Sequence, residues 1–280
     1  MAYKFGIIGN PLSHSLSKVM QEAAFKSLDL QGSYDVLETK SEDLIQRIKF
    51  LKTNNYDGFN VTIPHKVPIT VFLSEVDDVA NMAGSVNTVL INEDKTLKGF
   101  NTDVYGFMKP IDDIDLNGKK AAVLGTGGAS RAVVCGLSLK GISKIDMFSR
   151  NVINSSNAVN TLKERFKDIE IKLLQYEILS SLKDVDIVVN TTPLGMKNFR
   201  QGISPLSDEI IQTLPDDAIV YDIVYNPIKT ELINKAIKYN KQYKTGIDML
   251  VYQGAKAFEI WTGQKPNVDK MKIAALEALL

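Results

Sequence analysis

The sequence predicts an α/β protein of two domains with mostly parallel sheets, and three observations carry that expectation. Strand-like and helix-like segments alternate from the first residues onward. The alternation is interrupted by a polar stretch around residues 104–118 and then begins again. The restart opens on an apolar strand that runs straight into a glycine-rich turn and a helix.

The elements follow in order. "YKFGIIG" reads as a first strand, and from Leu16 to Leu28 the apolar residues keep helical spacing. "SYDVLE" returns to a strand. "SEDLIQRIKFLK" predicts a helix with Ser41 as N-cap and two acids in its first turn, which suits the helix dipole. After the turn "NNYDG", the β-branched run Val61, Thr62, Ile63 predicts a strand that stops at Pro64. A helical stretch broken early by Pro68 leads to the strand "SVNTVLI", and Asn92–Lys95 predict a hairpin turn into "TLKGF". The second series runs through "AAVLG", "KIDMFSR", a helix near 155–166, "IEIKLL", "DIVVNTTP" and "AIVYDIVY". From about 245 the pattern turns helical to the end. The expected division is 1–105, 106–244, and C-terminal helices over 245–280 that return to the first domain.

Composition narrows the class. With 33 basic and 33 acidic residues, the chain has no charge excess that would favour nucleic acid or an acidic membrane surface. No apolar run approaches the ~20 residues needed to span a bilayer. The opening segment is apolar too briefly for a signal peptide. Cys135 is the single cysteine, so no internal disulfide can form, and its helix-like setting predicts a small core residue. There is no Cys/His cluster for a metal, and His14 and His65 are expected to be structural or surface groups. A cytoplasmic protein, monomeric or homodimeric, acting on a small molecule is the expectation.

The second domain carries a nucleotide signature. "AAVLGTGGAS" places a strand before Gly125-Thr126-Gly127-Gly128 and a helix after it. Glycines permit the tight turn and a close backbone approach, and the helix N-terminus offers free N–H groups to a pyrophosphate. This predicts a Rossmann-like dinucleotide-binding domain, although the third glycine position is Ser130. At the end of the next strand, "MFSRN", an NAD site would place an acid for the ribose 2′-hydroxyl. Arg150 stands there without one, which suits a 2′-phosphate and hence NADP.

In the first domain, "HSLS", "NVTIPHK", "SVNT" and "NTD" put more polar side chains at strand ends than a core needs. Strand carboxyl ends face the ligand crevice in open α/β sheets, so Ser15, Ser17, Thr62, Lys66, Asn87 and Asp103 are candidates to converge on one polyhydroxylated ligand. Each also has an ordinary reading. Ser15, Ser17 and Asp103 could cap helices, Thr62 could serve strand propensity, and Asn87 could form a turn.

Taken together, "GNPLSHSLS", "FNVTIPHK", "AGSVNT", "GFNTDVYGF", "GTGGASRA", "NTTPLGM", "YDIVYNPIKTEL" and "GIDMLVYQGA" resemble the shikimate dehydrogenase family, in the family's order and over nearly the whole chain. The resemblance implies an N-terminal α/β substrate domain, a Rossmann-like NADP domain and a cleft between them. It implies reversible NADPH-dependent reduction of 3-dehydroshikimate to shikimate, in chorismate and aromatic amino-acid biosynthesis, with no metal. By position it assigns Ser15 and Ser17 to the substrate carboxylate. Thr62, Asn87, Asp103 and Gln253 fall to its hydroxyls and reacting oxygen, with Tyr225 beside them. It assigns Gly125, Thr126, Gly127, Gly128, Ala129, Ser149, Arg150, Thr191, Ile223 and Gly246 to the cofactor, with Asp78 touching it. The chain departs from the family at Lys18, Met20, Asn154 and Asp248. Asn154 replaces a basic residue often found there, which leaves dual cofactor specificity open.

A ketone that accepts a hydride becomes an alkoxide, and a nearby donor must neutralise that charge as it develops. Lys66, held by the carboxylate of Asp103, is the expected proton donor in reduction and acceptor in oxidation. Two rivals remain: a quinate-active enzyme of the same fold with dual or NAD preference, and a non-catalytic nucleotide sensor. The Ser15/Ser17 pair favours shikimate, and retention of both Lys66 and Asp103 argues against the sensor.

Overall fold

The computed structural model describes residues 2–13, 15–197 and 199–280. They form two compact units, Met1–Gly106 with Val251–Leu280, and Phe107–Leu250.

The first unit is built from β1 (Tyr3–Gly9), α1 (Ser17–Ser27), β2 (Gly32–Glu38), α2 (Leu44–Thr53), β3 (Gly58–Val61), β4 (Glu75–Val76), α3 (Asp78–Ala83), β5 (Thr88–Ile91), β6 (Leu97–Phe100) and the start of α4 (Thr102–Met108). Its sheet runs β2-β1-β3-β5-β6-β4. β1 is parallel to β2 and β3, whereas β5 is antiparallel to both β3 and β6. The predicted hairpin is there: the Lys95 amide bonds the Asn92 carbonyl, and Lys95 takes the left-handed turn conformation. A cluster of Ile8, Leu51, Phe59, Ile69, Val89 and Leu97 fills one core of this unit.

Several local expectations are corrected. β3 ends at Val61, because Thr62 begins a turn in which the His65 amide bonds the Thr62 carbonyl. Ser41 does not cap α2; it opens a 3₁₀ turn, Ser41–Asp43, ahead of that helix. Pro68 does not break a helix but starts a 3₁₀ turn, Pro68–Phe72, a position that needs no N–H from it. Asp103 is not the cap of α4 either, since it lies within the helix and the Asn101 side chain accepts the Val104 amide.

The second unit holds β7 (Lys120–Leu124), α5 (Gly128–Leu139), β8 (Lys144–Ser149), α6 (Val152–Arg165), β9 (Glu170–Gln175), β10 (Ile187–Asn190), α7 (Asp208–Gln212), β11 (Ile219–Asp222), α8 (Glu231–Lys238) and β12 (Gln242–Thr245). All its strands are parallel, in the order β12-β11-β10-β7-β8-β9. The order reverses between β10 and β7, which is where a doubly wound sheet opens its ligand crevice. β7 and β10 are buried runs of Ala, Val, Ile and Leu, as a strand covered on both faces requires. Cys135 is a fully buried core residue of α5.

α9 (Gly246–Thr262) starts at the end of β12 and carries the chain back into the first unit, where α10 (Val268–Glu277) packs on α1. Trp261 stacks on Phe5 and donates its indole N–H to the Val89 carbonyl at 2.9 Å.

Candidate active site

In the first unit, three strand ends deliver the polar residues to one place. β3 runs into Lys66 and β6 into Asp103, while Asn87 sits just ahead of β5. Because β5 is antiparallel to its neighbours, its beginning lies at the same edge as their ends. Lys66 Nζ stands 2.5 Å from Asp103 Oδ2, with the two side chains 17% and 12% exposed. Asn87 Nδ2 donates to the other carboxylate oxygen at 2.9 Å, and also reaches Thr102 Oγ1 at 2.9 Å and Gln253 Oε1 at 3.4 Å. The Thr102 amide returns a bond of 2.7 Å to Asn87 Oδ1. Lys66, Asn87, Asp103 and Gln253 are thereby joined.

The network continues inward through residues that sequence reasoning missed. Thr88 bonds Asn87 and Thr102, and Asn60 Nδ2 donates to Thr88 Oγ1 at 3.0 Å. The buried Tyr34 hydroxyl donates to Asn60 Oδ1 at 2.7 Å. Burial pushes its phenol pKa well up, and a hydrogen bond with Ser17 opposes the shift. Ser17 is buried at the start of α1, and its amide bonds Ser15 Oγ at 3.3 Å. Thr62 is half-buried in the turn before Lys66, and its amide bonds the Ile8 carbonyl. The available signal was that Asn60, Thr88 and Thr102 lie in the polar stretches "NVTIPHK", "SVNT" and "NTD", whose buried polar groups a core tolerates only when they are bonded, while Tyr34, between Ser33 and Asp35, carries no such mark. His65 is buried, with Nε2 donating to the Thr39 carbonyl at 2.7 Å, whereas His14 lies outside the described residues. Asp78 is exposed at the first position of α3, whose cap is Asp77.

In the second unit, Gly125 has φ +104°, and a Cβ there would lie 2.9 Å from both Thr191 Oγ1 and Thr192 Cγ2, so glycine is required. Thr191 Oγ1 itself donates to the Leu124 carbonyl. Beyond Gly127 and Gly128, by contrast, a Cβ would meet nothing within 4 Å. α5 begins there with no side-chain cap and no acid in its first turn, so its leading N–H groups, including that of Ala129, are open to an anion. Ser130, at the missing third glycine, ties back to the Gly127 carbonyl through its hydroxyl. Thr126 in the glycine turn, Ser149 at the end of β8 and Ser155 in α6 link their hydroxyls in a chain, Thr126–Ser155–Ser149, with 2.7 Å links. Arg150 is exposed beside them and makes no ion pair among the described residues, and Asn151 rather than a basic group caps α6. Free N–H groups, open space beside the glycines and an uncommitted arginine fit a phosphorylated dinucleotide.

Gly246 is as constrained as Gly125. A Cβ on it would fall 2.2 Å from the Ile223 carbonyl oxygen, so β11's exit and α9's start touch backbone to backbone. Tyr225, two residues past Ile223, is half-buried, and burial raises its phenol pKa. Between Thr191 and Ile223 lies a knot that sequence reasoning also missed. Asn190 Oδ1 accepts the Thr192 amide and hydroxyl, and its Nδ2 donates to Asp222 Oδ1 at 2.9 Å. Asp222 further accepts the Val224 amide and, at 2.6 Å, the Thr230 hydroxyl. Among the described residues, no group of three His, Cys, Asp or Glu could hold a metal ion, and no helix is long and apolar enough to cross a membrane.

A crevice-forming parallel sheet with an open glycine turn, together with a lysine–carboxylate pair in a polar network, defines a nicotinamide-dependent oxidoreductase. Comparison with known proteins makes the class specific. Residues 7–89 match the shikimate dehydrogenase substrate-binding domain and residues 246–276 the shikimate 5′-dehydrogenase C-terminal domain. The shikimate dehydrogenase (NADP(+)) of Bacillus cereus strain AH187 is 38% identical over 282 residues, covering 100% of this chain and 99% of that one. The shikimate 5-dehydrogenase of Thermus thermophilus, solved with NADP(H) and shikimate, superposes with a TM-score of 0.85 at 34% identity, over 99% of this chain and 100% of that one. The Listeria monocytogenes enzyme, solved with shikimate and NAD, superposes at 0.88 with 33% identity, over 97% and 96%. The chain belongs to the shikimate dehydrogenase family.

Proposed function

We propose that the protein catalyses the reversible NADP-dependent interconversion of shikimate and 3-dehydroshikimate, reducing the ketone in chorismate biosynthesis. The contact that carries this reading is Lys66 on Asp103, 2.5 Å apart and largely screened from solvent. Bound at the glycine turn, the nicotinamide cofactor supplies or accepts the hydride.

Lys66 gives a proton to the ketone oxygen during reduction and takes it back during oxidation. One Asp103 oxygen holds the lysine, and the other is fixed by Asn87, so the donor is aimed before substrate arrives. Proton transfer of this kind contributes ~10²–10⁴-fold in rate. Ser15 and Ser17 bind the substrate carboxylate. Thr62, Asn87, Asp103 and Gln253 hold its oxygens, with Tyr225 alongside. The joining of Asn87, Asp103 and Gln253 in one network supports their assignment. Gly125 to Ala129, Ser149, Arg150, Thr191, Ile223 and Gly246, with Asp78, take the cofactor. On this reading Met1–Gly106 with Val251–Leu280 is the substrate part and Phe107–Leu250, which holds Gly246, the NADP part, so the expected boundary at 244/245 moves into the first turns of α9. The same reading gives a cytoplasmic protein with small-molecule partners, working as a monomer or homodimer.

Lys66→Ala tests the proposal. Turnover of shikimate with NADP⁺ should fall by a factor of at least ~10², while shikimate affinity changes far less, because the proton transfer belongs to the transition state. A folded variant with near-normal turnover would remove Lys66 from the chemistry. Running the unmodified enzyme with shikimate or quinate, each with NADP⁺ or NAD⁺, separates the shikimate reading from its quinate rival.

A further inference from the structure

Asp222 is a fully buried acid at the end of β11, and every group bonded to it is neutral. Its oxygens accept the Val224 amide, Asn190 Nδ2 and the Thr230 hydroxyl, and among the described residues no lysine, arginine or histidine pairs with it. Burial pushes its carboxyl pKa up to about 6, against three hydrogen bonds that pull it down, so above neutral pH it is still an anion. Buried anions without a cation are costly and rare, which makes the position informative.

The neighbourhood says which cation could face it. The dinucleotide of a doubly wound sheet straddles the point where strand order reverses, here between β7 and β10. The open helix N-terminus at Gly127–Gly128 takes the pyrophosphate, and Ser149 and Arg150 at the end of β8 lie toward the 2′-substituted ribose. The other nucleoside therefore extends over the ends of β10 and β11, which carry Asn190 and Asp222. Of the two states of a nicotinamide ring, the oxidised one is a cation and the reduced one is neutral.

We infer that Asp222 is a positioning residue whose buried charge also sets the balance between the two cofactor forms, favouring the oxidised, cationic ring over the reduced one. Its hydrogen bonds hold the turns after β10 and β11 in place for both forms. Its charge acts on one form only. A carboxylate acting on a ring cation through protein is expected to shift the ratio of the two affinities by roughly tenfold. The inference rests on the NADP-binding reading of this unit.

The test is equilibrium binding of NADP⁺ and of NADPH, each titrated separately at about pH 7.5 and without substrate, to the unmodified protein and to Asp222→Asn. The variant keeps the shape of the knot and removes the charge. NADP⁺ affinity should drop about tenfold relative to NADPH affinity. Equal weakening of both, or no change in their ratio, would leave Asp222 a merely structural residue and overturn the inference. Failure of the unmodified protein to bind either nucleotide would instead overturn the NADP reading itself. If Asp222→Asn does not fold, the exchange Asn190→Asp with Asp222→Asn keeps one amide and one carboxylate in contact. That double variant should retain the unmodified ratio, and loss of the ratio there would count against the charge.

Discussion

Asp222 should also leave a mark on stability that has nothing to do with ligand. Its carboxyl titrates near 6 in the folded protein against 3.8 for an unperturbed carboxyl. Between those values the folded protein holds a proton that the unfolded chain has released. The contribution to stability is therefore fully present below about pH 4, falls as pH rises toward 6, and stays low above it. A shift of this size is worth about 3 kcal/mol in total, of which about 2 kcal/mol falls between about pH 4.5 and 7. Asp222→Asn does not titrate. Its stability measured against the unmodified protein should thus improve by about 2 kcal/mol across that window, whatever constant offset the lost acceptor imposes. Urea unfolding followed by circular dichroism at half-unit pH steps, with no nucleotide present, reads the difference directly. A difference that stays flat from about pH 4.5 to 7 would refute the reasoning, because it would mean the buried carboxyl titrates as an exposed one does.

Other perturbations test other parts of the molecule. Arg150→Ala should raise the Michaelis constant for NADP⁺ and barely move that for NAD⁺, and unchanged discrimination would take Arg150 out of the 2′-phosphate site. Changing Ser15 and Ser17 together to alanine should weaken shikimate binding in a calorimetric titration and leave NADPH affinity intact. Gly246→Ala would put a methyl 2.2 Å from the Ile223 carbonyl oxygen, where ordinary contact begins at 3.4 Å. Both partners are backbone, so overpacking of roughly 1–3 kcal/mol is expected, seen as a lower Tm and weaker NADPH binding. An unaltered Tm in the Gly246→Ala variant would mean that the β11 exit is free to move.

The sequence was most legible where the rule matched the geometry. The candidates placed after parallel strands do stand there: Lys66 after β3 by the carboxyl-end argument, the glycine turn after β7 by its strand–turn–helix motif, and Arg150 after β8 by the missing acid. Asn87 obeys no such rule. It precedes its strand, and reaches the site because β5 runs antiparallel. Tyr34, Asn60, Thr88 and Thr102 escaped notice: Asn60, Thr88 and Thr102 stand beside the candidates in "NVTIPHK", "SVNT" and "NTD", and Tyr34 between Ser33 and Asp35, and only the partners reveal that each is bonded into the network. Asn190 and Asp222 escaped for the same reason, one at the end of "IVVN" and the other at the end of "IVYD". Their partners come from strands and turns far along the chain, and no local pattern encodes such a meeting. β12 was missed because "QYKT", on the sheet edge and half polar, has no apolar alternation to read. α8 was not read either, although Thr230 and the apolar residues at 232, 233 and 236 mark it, with the Thr230 hydroxyl accepting the Ile233 amide.

The return of the chain through α9 has a consequence for the order in which the protein is made. Phe107–Leu250 is continuous, so that unit is wholly synthesised before Val251 leaves the ribosome, and it can fold as it emerges. The unit that precedes it cannot finish. Phe5 waits for Trp261 and Phe258 to cover it, Gln21 waits for the Gly254 carbonyl, and Asn87 waits for Gln253. A sheet whose strands are all made but whose aromatic face is uncovered therefore persists through translation of more than a hundred residues, making the half that is synthesised first the half that needs protection from aggregation longest.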